Sequence, residues 1–159
     1  MVKKTVLWLF AIVLGITFGA GIYEARIVVP DWIQSSEMYW NAEAANHSNT
    51  GIRFWVFVTS IPLTILTVVS IIYTFKSKGE LKKWLGLATG AALIDRIMTF
   101  GYFVPTMISL MEYGNSQEKE IVDSAIFWSN FNYVRIAVVF LAWLAAMKAF
   151  SVYYRNSTN

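Results

Sequence analysis

Asp95 and Arg96 stand side by side in "AALIDRIMTF", residues 91–100 of a 159-residue chain, inside a long apolar run. Glu24 and Arg26 close the stretch "GIYEAR", Arg53 opens the next apolar run, and "WSNFNYVR" carries Trp128, Asn130, Asn132 and Arg135. On insertion scales, Asp or Arg at the centre of a membrane helix costs about 2.5–3.5 kcal/mol, so such groups turn inward, find partners and are functional by default. The same groups can instead serve only as ion pairs that fix helix register. Residue types therefore nominate Glu24, Asp95, Arg96, Asn132 and Arg135 as candidate catalytic groups. Arg53, Thr99, Tyr102 and Trp128 are the candidate substrate contacts.

Spacing decides which of these can share a face. Asp95, Thr99, Tyr102 and Thr106 follow helical steps of four, three and four. Trp128, Asn132 and Arg135 form a second stripe, Arg53, Ser60, Thr64 and Thr67 a third, and Thr17 with Glu24 a fourth. Turned inward together, these seams would enclose a polar cavity beneath the outer loops. On this reading Asp95 points toward Arg135 or Arg96, and Arg96 either reaches Glu24 or lines the same cavity.

The elements that must carry these seams are legible in the hydropathy. Apolar and aromatic residues make up 57% of the chain and charged residues 14%, against about 45–50% and about 25% in an average soluble domain. Runs of about 20 apolar residues span a bilayer, and four are present. The expectation is an all-α, four-helix transmembrane bundle forming one domain over residues 1–159, with spans near 5–27, 52–76, 82–111 and 122–150. "MVKKTVLWLFAIVLGITFGAG" also has the look of a secretory leader, but the expectation is a retained first helix. Pro62 and Pro105 should kink their helices. "GITFG" and "GLATG" place Gly15 with Gly19 and Gly86 with Gly90, spacings that permit close helix contact or homo-oligomerisation.

Lys3, Lys4, Lys76, Lys78, Lys82, Lys83, Lys148 and Arg155 fall at one set of helix ends. Asp31, Glu37, Glu43, Glu112, Glu118, Glu120 and Asp123 fall at the other, against a single Lys119. Positive charge marks the cytoplasmic side, so both termini are expected there, in a multi-pass protein of a bacterial inner membrane. The net charge of +3 is explained by this sorting, and nucleic acid is not an expected partner. The expected partners are the lipid bilayer and a small hydrophobic ligand.

Other chemistries find little support. The chain has no Cys, which removes disulfides, thiol nucleophiles and thiolate metal sites. Glu43 and His47, four apart in the first outer loop, are two metal-ligand types without a third, so no metal is expected. Trp32, Tyr39 and Trp40 in that loop suit a membrane interface or a cap over the cavity. No phosphate-binding glycine loop, nucleophile elbow or paired-His motif is present.

Three stretches, "GAGIYEARIVVPDW", "YFVPTM" and "WSNFNYVR", give the chain its resemblance to the anthrone oxygenase-like family of small four-helix membrane proteins. Trp128, Asn132 and Arg135 stand where the family has its Trp, Asn and Arg. Thr106 follows Pro105 where the family often has Asn. The resemblance implies oxidation of anthrones to anthraquinones without metal, flavin or other cofactor. It also implies roles: Glu24 or Asp95 as the base that deprotonates a phenolic substrate, and Arg96 or Arg135 beside Asn132 holding the anion. Two further readings stay open on the residues: a non-catalytic protein that binds or moves an amphiphile or ion, and a structural membrane subunit.

Overall fold

A computed structural model describes residues 2–34, 38–47 and 53–158. Four helices are long and apolar enough to cross a bilayer: Lys3–Trp32, Phe54–Phe75, Gly79–Tyr113 and Lys119–Arg155. These are the four spans of an all-α bundle. Backbone polar groups have no water to bond in hydrocarbon, so apolar runs of this length close their hydrogen bonds internally as helix. The spans exceed the expected limits at several ends. The first runs through Pro30 to Trp32, because the turn before Pro30 widens and accommodates its ring. The third begins at Gly79 and the fourth at Lys119. Gly114, at φ +69°, stops the third in a left-handed turn that a side chain would resist.

The fourth span packs against the first and third, and the second closes the ring between those two. Lys3 Nζ donates to Ser77 Oγ at 2.9 Å, and Arg155 Nη2 donates to Glu80 Oε2. Both ends of the chain therefore gather with the Lys-rich turn at one end of the bundle. At the opposite end the two-residue strands Ile33–Gln34 and Tyr39–Trp40 pair antiparallel, followed by the short helix Ala42–His47. Trp40 is buried, and its indole Nε1 donates to the Leu110 carbonyl at 3.0 Å, which clasps the loop to the third span.

Buried side chains form three stacked apolar layers. The layer nearest the acidic loops contains Trp32, Trp40, Phe103, Leu110, Val122 and Trp128. A middle layer holds Phe10, Leu14, Leu63, Ala88, Ala92 and Val139, and a third surrounds Leu7, Leu81 and Val152 near the Lys-rich end. Gly15 and Gly21 admit the Trp143 and Ile136 side chains, whereas Gly19 and Gly90 have open space where a Cβ would lie. Only one glycine of each spaced pair meets another helix: Gly15 on the fourth, and Gly86 beside Thr74 of the second.

Three of the spans widen into π-helix, at Glu24–Val28, Phe54–Ser60 and Thr99–Phe103. Each π segment ends two residues before a proline: Pro30, Pro62 and Pro105. A proline ring clashes with the carbonyl four residues back. In each case that residue, Arg26, Val58 or Gly101, lies within the widened turn, and the widening relieves the clash. The fourth span has no proline and is one continuous helix from Lys119 to Thr158. Its side chains brace two of the π segments. Trp128 Nε1 donates to the Phe103 carbonyl at 3.1 Å, and the Tyr133 hydroxyl to the Ala25 carbonyl at 3.4 Å.

Candidate functional site

Trp128 on Phe103 sets the antiparallel register of the third and fourth spans. One turn deeper, the same register brings Asn132 opposite Thr99, and the next turn brings Arg135 opposite Asp95 and Arg96. Between the first and fourth spans, Phe18 meets Phe140 with ring centroids 4.8 Å apart, and Gly21 receives Ile136. That register sets Glu24 level with Arg135. The candidate groups of three helices thus converge at one depth, between the loop-side apolar layer and the middle one.

Asp95 is 1% exposed, Arg96 7% and Asn132 0%. Arg96 Nε donates to Asp95 Oδ2 at 3.0 Å, and its Nη2 donates to the same oxygen. Arg96 thus pairs with its sequence neighbour, while the charge facing Glu24 is that of Arg135. Arg135 is half-buried, with Asp95, Glu24 and Arg96 as the charges around it. Its guanidinium lies over the Phe103 ring at 4.7 Å and near the Trp55 ring at 5.7 Å. A guanidinium held between aromatic faces keeps a favourable electrostatic contact away from water. Trp55 also lies beside Glu24.

Several polar atoms in this cluster meet no hydrogen-bond partner among the described residues: Asp95 Oδ1, Arg96 Nη1, Thr99 Oγ1 and both amide atoms of Asn132. A buried polar group without a partner costs about 1–3 kcal/mol, and five such atoms lie together in this cluster. The seams close on one another here as a packed cluster.

The remaining candidates sit elsewhere. Arg53 is exposed where the second span begins and does not join the cluster. Tyr102 is half-buried in an edge-to-face aromatic group with Phe103, Phe127 and Phe131, its hydroxyl near Thr106. Trp128 is buried with its indole committed to Phe103. Hydroxyls of Thr17, Thr59, Thr64 and Thr67 turn back to the carbonyl four residues earlier in their own helices. The seam of the second span is therefore mostly satisfied within itself. Arg26 is exposed and lies over the Tyr133 ring.

Glu37 and the side chain of His47 lie outside the described residues, and with them the Glu43–His47 pairing. Among the described residues no three His, Asp or Glu side chains gather as a metal would need. Trp55 and Phe103, which flank Arg135, were not singled out from the sequence. The sequence signal near each is the proline that follows, since each ring lies in the π segment before it.

Comparison of the chain with family models, with curated proteins and with solved structures finds no match.

Proposed function

We propose that this four-span membrane protein binds a hydrophobic hydroxyaromatic molecule at the intramembrane cluster and oxidises it with dioxygen, as its resemblance to the anthrone oxygenase-like family implies. Both termini and the Lys-rich turn face the cytoplasm of a bacterial inner membrane in this reading, in keeping with the charge asymmetry between the two ends. The observation that carries it is the set of unpartnered buried atoms on Asp95, Thr99 and Asn132 beside Arg135. Once the closed seams part to admit it, a flat molecule with polar groups would satisfy these donors and acceptors, which packing leaves unmet.

Among the acids, Glu24 is the better base. One oxygen of Asp95 already accepts two hydrogen bonds from Arg96, whereas Glu24 is half-buried and faces Arg135. Glu24 takes a proton from the substrate, Arg135 holds the resulting anion with Asn132, and that electron-rich anion reduces dioxygen. For an anthrone the balance is one methylene and one O2 giving one carbonyl and one water. Moving a proton from substrate to Glu24 keeps the net charge of the cluster constant, which suits a poorly solvated place.

The test is oxygen uptake by the protein in lipid nanodiscs given a hydroxyanthrone, with appearance of the quinone chromophore. Glu24→Gln and Arg135→Gln are expected to lower the rate by about 10²-fold or more. Asn132→Leu should weaken substrate binding while leaving thermal stability equal or higher, because it removes two unpartnered polar atoms. Wild-type uptake no faster than that of empty nanodiscs would sink the proposal.

A further inference from the structure

One concavity touches the cluster from outside the bundle. It is a groove of about 500 Å³ between the second and third spans, walled by Thr64, Thr67, Val68, Ile71, Leu93, Ile97 and Phe100, with Arg96 and Gly101 also on its lining. Val68, Leu93, Ile97 and Phe100 are exposed, so the groove opens where lipid would be. The Thr64 and Thr67 hydroxyls bond to their own helix, which leaves an almost wholly apolar wall. Gly101 is exposed and has nothing within 4 Å of where a Cβ would sit.

Arg96 belongs to both places. Two of its nitrogens hold Asp95, its guanidinium lies 5.8 Å from the Phe100 ring, and Nη1 has no acceptor among the described residues. The cluster itself is balanced, with Arg96 and Arg135 against Glu24 and Asp95. A further full negative charge would upset that balance in a medium that solvates charge poorly. A neutral oxygen that only accepts a hydrogen bond would not.

We infer that the groove between the second and third spans is a binding site for an uncharged lipophile bearing a carbonyl, drawn sideways out of the bilayer. Nη1 is buried as packed, so the Arg96 side chain, already on the groove's lining, turns outward for the carbonyl to accept from it, and the apolar chain lies along Val68, Ile71, Leu93 and Ile97. The inference rests on the cluster being a ligand site, as proposed above, and adds the route and the chain. Groove walls and lipid tails are equally apolar, so the chain gains little from burial alone. Selectivity comes from the carbonyl contact and from the shape at Gly101.

A diaryl ketone with a long alkyl chain tests this directly, because the ketone is the recognised group and under near-ultraviolet light inserts into neighbouring C–H bonds. Illuminating the protein in nanodiscs containing this probe and mapping the adducts should place them in residues 64–71 and 93–101. Gly101→Phe, which fills the open space, should reduce them about tenfold, equivalent to about 1.4 kcal/mol. Gly101→Leu serves the same purpose if the larger ring disturbs folding. An unlabelled ketone of equal chain length should compete, and the matching carboxylate should not.

Adducts spread evenly over the lipid-facing residues of all four spans would overturn the inference, as would labelling indifferent to both Gly101 variants or displaced equally by the carboxylate. The two proposals fail separately. Groove labelling without oxygen uptake removes the oxygenase and leaves the site, whereas oxygen uptake with dispersed labelling removes the site and leaves the oxygenase.

Discussion

Asp95 and Arg96 show how far residue types alone can be read. An acid and a guanidinium in an apolar run had to pair, because unpaired charge in such surroundings is too costly to keep. Which pairing forms was not legible. Arg96 satisfies its own neighbour through two nitrogens, and Arg135 is left to face Glu24 and the aromatic rings of Trp55 and Phe103. This arrangement makes an energetic expectation. Asp95→Ala strands the Arg96 charge and should destabilise the fold by about 3–5 kcal/mol, whereas replacing both residues with apolar ones of similar volume should cost far less. Equilibrium unfolding in mixed micelles distinguishes the two. Equal losses for the single and double variants would mean the pair is not coupled in the folded state. The threonines teach the opposite lesson. Ser60, Thr64 and Thr67 keep the spacing of a seam, yet the two threonine hydroxyls bond backward along their own helix, a local option that spacing cannot reveal.

At the scale of elements, three prolines and three π segments are one phenomenon. Each proline would clash with a carbonyl in the preceding turn, and each span widens there. π segments are frequent at functional positions, and here they carry Glu24, Trp55, Thr99 and Phe103. Restoring an N–H at position 105 should let the third span close to regular α-helix. Loss of one extra residue from the turn rotates the helix before it by roughly 100° relative to the helix after it. Spin labels at the exposed positions Ile97 and Ile108, on either side of the segment, should report a changed separation in Pro105→Ala with helix content unaltered. The chain has no Cys, so such labels meet no competing thiol. An unchanged separation would show that Trp128 bonding to Phe103, rather than the proline, maintains the wide turn.

For the molecule as a whole, helix count and antiparallel order place both ends beside the Lys-rich turn, as Lys3 with Ser77 and Arg155 with Glu80 demonstrate. Side of the membrane is a separate matter, argued from charge. A membrane-impermeant thiol reagent on intact cells is expected to label Asn115→Cys, on the acidic side, and to miss Lys78→Cys. The reverse pattern would invert the orientation and put the groove's carbonyl ligand in the other leaflet.

Hydropathy by itself determined the four spans, because a chain that must bury every backbone hydrogen bond in lipid has few alternatives to helix. It also nominated the groups that converge, Glu24, Asp95, Asn132 and Arg135, because charge and amide are conspicuous where nearly everything else is apolar. Tertiary structure decided the rest. Register between spans is set by contacts such as Trp128 on Phe103 and Phe18 on Phe140, and these lie far apart in sequence. Register chose Arg135 as the partner of Glu24, committed Trp128 and Tyr102 to packing, left the Asn132 amide and the Thr99 hydroxyl without a partner among the described residues, and opened beside Arg96 a groove that helical spacing alone does not show. A helix fixes which residues share its own face, but only the neighbouring helix decides what that face meets.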